Sequence, residues 1–351
     1  MSVLRFPNPG SDISKMIFTY IAIFKELETK RNFTHDDARD AMIKYGLVSS
    51  SGAIGQEAVR RSVRDDRSRD SLYNQHKMYS EFYRMLGWYK PGTMNTNFNF
   101  TELSSYIAKA EQDYSKRIFE ECLLSIVFPN PLVENKKGNI IRPFPFILRL
   151  ASNLEGVIFR DELIVAVLAL QNDTLVDIFE KTVTYIKDLR KNKRKLSAEL
   201  KKLSQNTGIQ TNTLQNYTRI PLGSLKYTGW FNRKTIRGIY SAAMTGFELT
   251  KNGQEKTKLL TMLKDIRHEE IENFDINERG SFTLLSSFVF MERCGYDITN
   301  FEPIIIDLTQ KSNNLLNHLG IRHHSSIFYS PYQQATEEEL NFAKELDSKY
   351  E

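Results

Sequence analysis

The sequence predicts a mainly α protein with small β-hairpin wings: tandem winged-helix (helix-turn-helix) modules followed by a helical C-terminal region. Two observations carry this. A helix runs into Gly-Trp-aromatic twice, as YRMLGWYKP (Tyr83 to Pro91) and as LKYTGWFNRK (Leu225 to Lys234). Each copy is followed by an alternating stretch (Phe98 and Phe100; Phe247 and Leu249) that closes on a threonine, Thr101 or Thr250, suited to cap the next helix. Helix, β-hairpin and return to helix is how a winged-helix module ends. Gly87 lies 14 residues before Thr101 and Gly229 lies 21 before Thr250, so the second wing is expected to be the longer.

Within 351 residues there is room for two or three domains, each with its own core. The composition, 40% hydrophobic and 26% charged, is that of an ordinary globular chain and argues against disorder. The longest apolar runs, LIVAVLAL and SSFVFM, are too short to span a bilayer. The N-terminal MSVLRFPNPGSD has no apolar signal core, and Cys122 and Cys294 have no metal-site spacing and fit a reducing compartment. These features predict a cytoplasmic protein without a membrane partner. The net charge of +5 is unevenly spread. Lys187 to Lys202 holds eight Lys/Arg against Asp188 and Glu199, a net +6, whereas Ala335 to Glu351 is net −4. A polyanion would therefore meet the middle of the chain.

In chain order, Ile13, Met16, Ile17, Tyr20, Ile21, Phe24 and Leu27 have helical spacing. A second helix opens at Thr34, with Asp36, Asp37 and Asp40 near its start, and ends near Gly46. The turn Ser49 to Gly52 precedes an Arg-rich helix, AIGQEAVRRSVRDDR, which completes a helix-turn-helix order. Another helix, Leu72 to Leu86, leads into the first Gly-Trp, and Ser104 to Val127 is again helical up to Pro129 and Pro131. The polar connection 131–140 marks a boundary. It gives modules at 1–130 and 131–260 and a helical region at 261–351, suited to docking a partner or a nuclease domain. In the second module, PFPFILRLASNL and RDELIVAVLAL are helices, and Asp173 to Lys202 reads as one long helix. Thr211 would cap a helix that Pro221 disturbs.

The candidate contacts are for double-stranded DNA. Ser50, Ser51 and Gln56 open the Arg-rich helix polar-side first, and Arg60, Arg61, Arg64 and Arg67 supply guanidinium forks that match guanine edges and phosphates. The same arginines, interleaved with Asp65, Asp66 and Asp70, could instead form a salt-bridged solvent face. Lys187, Arg190, Lys191, Lys193, Arg194 and Lys195 would bind backbone phosphates without reading sequence. Gln210, Asn212 and Asn216, with Gln205, Asn206 and Gln215, are amides suited to adenine or simply a polar loop. Lys226, Arg233, Lys234 and Arg237 flank the second Gly-Trp and could lay a wing along the backbone. Trp88 and Trp230 read as hairpin core, and His318, His323 and His324 as surface histidines.

Taken in order, RSRDSLYNQHKMYSEFYRMLGWY, SKRIFEECLLSIVFPNP, IRPFPFILRLASNLEGVIFRDELIVAVLAL and LKYTGWF with its wing resemble the DNA-recognition half of the AlwI-like type IIS restriction and nicking endonucleases, over roughly residues 10–260. The resemblance implies sequence-specific DNA binding in the service of restriction. It also implies Mg²⁺-dependent phosphodiester hydrolysis by a nuclease domain of the PD-(D/E)xK class. Here the chain departs from the pattern. The Glu-x-Lys pairs Glu28/Lys30, Glu134/Lys136 and Glu199/Lys201 sit on no convincing strand with an earlier acid. No catalytic or metal site is therefore expected, and no cofactor in this chain. Cleavage, with its Mg²⁺, would come from a nuclease subunit or a further domain. A catalytic site of its own would require Asp275, Glu278, Glu292 or Asp307 to cluster with Lys311. The alternative reading is a non-enzymatic winged-helix DNA-binding regulator or replication initiator.

Overall fold

Helix α1 (Ile13–Leu27) starts where Asp12 Oδ1 accepts the Lys15 N–H at 3.0 Å, and it buries Met16, Tyr20, Ile23 and Leu27 on one face. It belongs to a computed structural model that describes residues 2–47, 70–89, 97–100, 107–108, 112–124, 126, 128, 139–262, 264–265 and 332–333, apart from 9, 31, 174 and 192–194. These residues form a mostly helical fold with small antiparallel sheets. Among them no helix is long and apolar enough to cross a membrane. The Arg-rich helix expected at 53–67, Thr101, and nearly all of 261–351 lie outside the described residues.

In the first half, strand β1 (Phe33–Thr34) runs into α2 (His35–Lys44). Thr34 caps that helix as expected: Asp37 N–H donates to its Oγ1, and Asp37 Oδ2 accepts the Thr34 N–H at 2.8 Å. Such a reciprocal cap is worth about 1 kcal/mol. Helix α3 (Ser71–Met85) then ends at Gly87, whose φ of +75° lets its N–H turn back to the Arg84 carbonyl. Trp88 follows, fully buried, and Tyr89 bridges antiparallel to Phe100. Strand β2 (Asn97–Phe98) pairs with β1, Phe33 opposite Phe98. The last extended segment of the half, 97–100, thus lies between the other two. Helix α4 (Gln112–Leu124) completes the half.

The second half opens and closes in the same order, with further helices between. Helix α5 (Pro143–Ser152) has proline in its first turn, where a missing N–H is harmless. Strand β3 (Val157–Phe159) runs into α6 (Arg160–Leu163), and Glu162 Oε2 accepts the Phe159 N–H at 3.0 Å, as Asp37 does for Thr34. Later, α9 (Thr211–Asn216) and α10 (Arg219–Tyr227) end at Gly229, with φ +77°, and at a fully buried Trp230. Strands β4 (Phe231–Ile236) and β5 (Met244–Leu249) follow, in the sheet order β3-β5-β4. Again the last strand is central. Thr250 Oγ1 donates to the Gly229 carbonyl and accepts the Gly253 N–H, opening α11 (Lys251–Met262).

Four expectations are corrected. The single helix expected over Asp173 to Lys202 is two, α7 (Ile178–Lys191) and α8 (Lys195–Thr207). Tyr185 Oη lies 3.4 Å from Glu199 Oε2, although one straight helix would hold residues 14 apart at about 21 Å. The two helices therefore run side by side. Leu189 of one and Leu196 of the other are buried in one cluster with Val157, Phe159 and Tyr240. Next, the helix expected to start at Arg160 widens into a π-turn over Ile164–Leu168, where four of five residues are buried. Gln210, not Thr211, occupies the N-cap of α9. Pro221 does not disturb a helix, because it falls in the first turn of α10.

One hydrophobic cluster extends from Leu4 to Leu249, through both halves. The N-terminal segment helps to join them. The Leu4 N–H donates to the Leu168 carbonyl at 2.7 Å, and the Phe6 ring meets Phe128 and Phe144 edge-on at 5.5 and 5.9 Å. Most of the connection expected at 131–140 lies outside the described residues.

Candidate nucleic-acid interface

Helices α9 and α10 turn one polar face outward. On α9 this face holds Asn212, Gln215 and Asn216, at i, i+3 and i+4; on α10 it holds Arg219, Leu222, Gly223 and Lys226, at i, i+3, i+4 and i+7. Strand β4 contributes Arg233, opposite Phe247 of β5 in the register. Arg160 enters from the end of β3, and Ser11 from the segment before α1. These residues, with Thr218, line a cleft of about 530 Å³. Gly223 makes room for the Ser11 backbone: a Cβ there would stand 2.5 Å from the Ser11 carbonyl oxygen.

The lining carries four cations, Arg160, Arg219, Lys226 and Arg233, and no carboxylate. Among the described residues no ion pair engages Arg219, Lys226 or Arg233, while Arg160 Nε meets Asp161 Oδ1 at 3.2 Å. The amides of Asn212 and Asn216 make no hydrogen bond there, and Gln215 Nε2 reaches Asp161 Oδ1 only at 3.4 Å. Concentrated positive charge beside amide donor–acceptor pairs suits a polyanion whose surface also carries hydrogen-bonding edges. The cleft's charge suits phosphates and its amides suit hydrogen-bonding edges.

The structure divides the candidate residues. Asn212, Asn216, Lys226 and Arg233 meet in the cleft, together with Gln215. Lys234 points to the opposite face of the strand, as alternation requires, and pairs with Glu248 at 2.9 Å. Arg237 and Gln210 are exposed outside the lining. On α7 Lys187 is exposed and Lys191 pairs with Asp188 at 3.2 Å, while Lys195 is exposed at the start of α8. Arg190 is corrected: its guanidinium turns inward, with Nε 2.8 Å from Glu162 Oε1 and further bonds to the Leu154 and Val157 carbonyls. It is committed to the core and not presented to phosphate. Ser50, Ser51, Gln56, Arg60, Arg61, Arg64, Arg67, Lys193 and Arg194 lie outside the described residues.

Arg160 and Arg219 were not picked out from the sequence. Arg219 had a usable signal in its i+7 spacing to Lys226 on one helix face. Arg160 had none, because only the sheet, with β5 between β3 and β4, brings the end of β3 to the cleft that β4 lines. The two tryptophans are core, as expected. Of the Glu-x-Lys pairs, Glu28 is the C-cap of α1 and Glu199 and Lys201 lie on α8, while Glu134 and Lys136, with the three C-terminal histidines, fall outside the described residues. Among the described residues no three His, Cys, Asp or Glu side chains are grouped to hold a metal ion. Those residues offer no donor set that fits the Mg²⁺ of a hydrolytic site.

Comparison with known proteins adds to this geometry. The family model described as type II restriction endonuclease HgaI, N-terminal domain, matches residues 54–270, more than half of the chain. Among solved structures, restriction endonuclease FokI is similar at a TM-score of 0.39 and 11% identity, over 96% of this chain and 63% of that one. The chain thus spans less than two thirds of the FokI chain, and the likeness is too distant to carry a structural argument. No curated protein matches the sequence. The family match agrees with the type II restriction reading of the ordered motifs and does not extend to the AlwI-like group.

Proposed function

The chain belongs to the HgaI N-terminal-domain family of type II restriction endonucleases, and from that premise we propose that it is the DNA-recognition part of a type IIS-like enzyme. It binds double-stranded DNA at a specific sequence, with phosphodiester cleavage supplied by a partner subunit or a further domain that brings Mg²⁺. The observation that carries this is the cleft, where four cations and three amides converge from α9, α10, β4 and the end of β3.

The fold around the cleft supports a winged-helix reading. Among the described residues each half holds, in order, a helix, a strand and a helix, later a helix ending in left-handed glycine and buried tryptophan, and then a strand pair whose last member is central; the second half has further helices between. In such a module the helix before the hairpin enters the major groove and the hairpin lies along the backbone. Here α9–α10 would present Asn212, Asn216 and Arg219 to base edges, while Lys226 and Arg233 take phosphates. Two unlike modules in one chain suit a short asymmetric site.

Selection from randomised duplexes at moderate salt, with and without Mg²⁺, tests the proposal. A short asymmetric site bound without cutting is the expected outcome. Binding without sequence preference, collapsing as salt rises, would overturn the recognition role. Cutting by the purified chain would overturn the assignment of cleavage elsewhere.

A further inference from the structure

We infer that Arg160 reads a guanine edge in the bound duplex and that Asp161 is its positioning residue; this rests on the proposed role of the cleft. Arg160 is the first residue after β3, with its side chain 48% exposed, while that of Asp161 is 19% exposed. It stands where the cleft meets an adjoining lobe of about 260 Å³ walled by Leu222, Met244 and Phe247. Asp161 Oδ1 accepts its Nε at 3.2 Å and also draws in Gln215 Nε2 at 3.4 Å. With Nε held from the side, the two terminal nitrogens project as a fork, the arrangement that matches O6 and N7 of guanine.

Charge distribution separates this residue from its neighbours. A carboxylate beside a cation weakens attraction to phosphate, and among the described residues Arg219, Lys226 and Arg233 pair with none. Among the described residues Arg160 is the one of the four cations with an acid at hydrogen-bond distance. That placement suits orientation more than affinity. Because the fork is already oriented, less side-chain freedom is lost when a base edge arrives.

Selection is repeated with wild type, R160K, R160A and D161N. Wild type is expected to prefer guanine at one position of its site. R160K keeps the charge but not the fork, and is expected to lose about 10-fold to 100-fold of that preference, at that position alone. R160A is expected to do the same, and D161N to relax the same position, with a thermal melt checking that each variant is folded. Placing 7-deazaguanine there removes the N7 acceptor, so it should weaken wild type and not weaken R160K further. A uniform loss at every position in R160A would make Arg160 a phosphate contact and overturn the inference. Retained guanine preference in R160K or D161N would overturn it too, while leaving the cleft as the DNA surface. Wild type without any preference would overturn the recognition role and this inference together.

Discussion

Tyr240, in the turn between β4 and β5, donates its hydroxyl to Glu162 Oε1 at 2.6 Å, across 78 residues of sequence. Burial, then the adjacent carboxylate, pushes the phenol well above its ordinary value, so it remains a donor. Arg190 completes the arrangement, reaching both Glu162 oxygens at 2.8 and 3.0 Å. The Glu162 side chain is fully buried and that of Arg190 is 12% exposed. Removing the charge of one partner leaves the other uncompensated in the core. Glu162→Gln is expected to lose about 3–5 kcal/mol of stability, and Tyr240→Phe about 1 kcal/mol. Urea denaturation of both variants checks the ranking; a Glu162→Gln loss under 1 kcal/mol would show that the ion pair is not what anchors the turn.

His35 and His76 join α2 to α3 through Nδ1 atoms 2.7 Å apart, so one ring must donate and the other accept. Two protonated rings cannot share that contact. Burial first, then His35 and Arg84, holds His76 well below the usual imidazole value of 6.5. Since the folded value is depressed, the unfolded chain binds the extra proton first as pH falls. Stability is therefore expected to be full above about pH 6.5 and to decline progressively below it. Thermal melts of wild type and His76→Gln between pH 5 and 8 should differ in slope. Parallel curves would exclude this pair as the source of acid sensitivity.

Alanine normally improves on glycine inside a helix by about 1 kcal/mol. At Gly223 of α10 the sign should reverse, since the new Cβ would press on the Ser11 backbone 2.5 Å away. Gly223→Ala is expected to destabilise by about 1–3 kcal/mol and to weaken DNA binding, because Ser11 and Gly223 line the same cleft. Melting temperature and duplex affinity measured together check this; a stabilised variant would mean the segment before α1 yields easily.

Lys226 and Arg233 have no acid partner among the described residues and face the cleft. Where either binds a phosphate, its replacement by alanine removes one counterion-release event. The salt dependence of log K should then become shallower by about 1 per residue. The same substitution at Lys234, held by Glu248 on the other face of the strand, should change the slope less. Equal slopes for all three variants would dissociate the cleft from the backbone path.

Local signals made much of this architecture legible. The paired Gly-Trp segments announced two left-handed helix ends and two buried rings, because a glycine past the last turn and an indole before a strand are short-range necessities. Thr34 and Thr250 were readable as caps for the same reason. Helical spacing identified α1 and α3. The run after Asp173 misled, because periodicity over Lys187 to Lys202 is the same whether one helix continues or two pack side by side.

Sequence by itself determined many of the helix and strand segments, the two Gly-Trp helix ends, and the run of positive charge over Lys187 to Lys202. Tertiary structure decided what each cation does. Arg190 and Lys187 belong to one basic run, yet one is drawn into a carboxylate 28 residues away and the other faces solvent. Arg160 and Arg233, far apart in sequence, reach one cleft only because β5 holds β3 and β4 in one sheet. Local propensities act within a turn or two of backbone, whereas a charge takes its role from the groups that folding places around it.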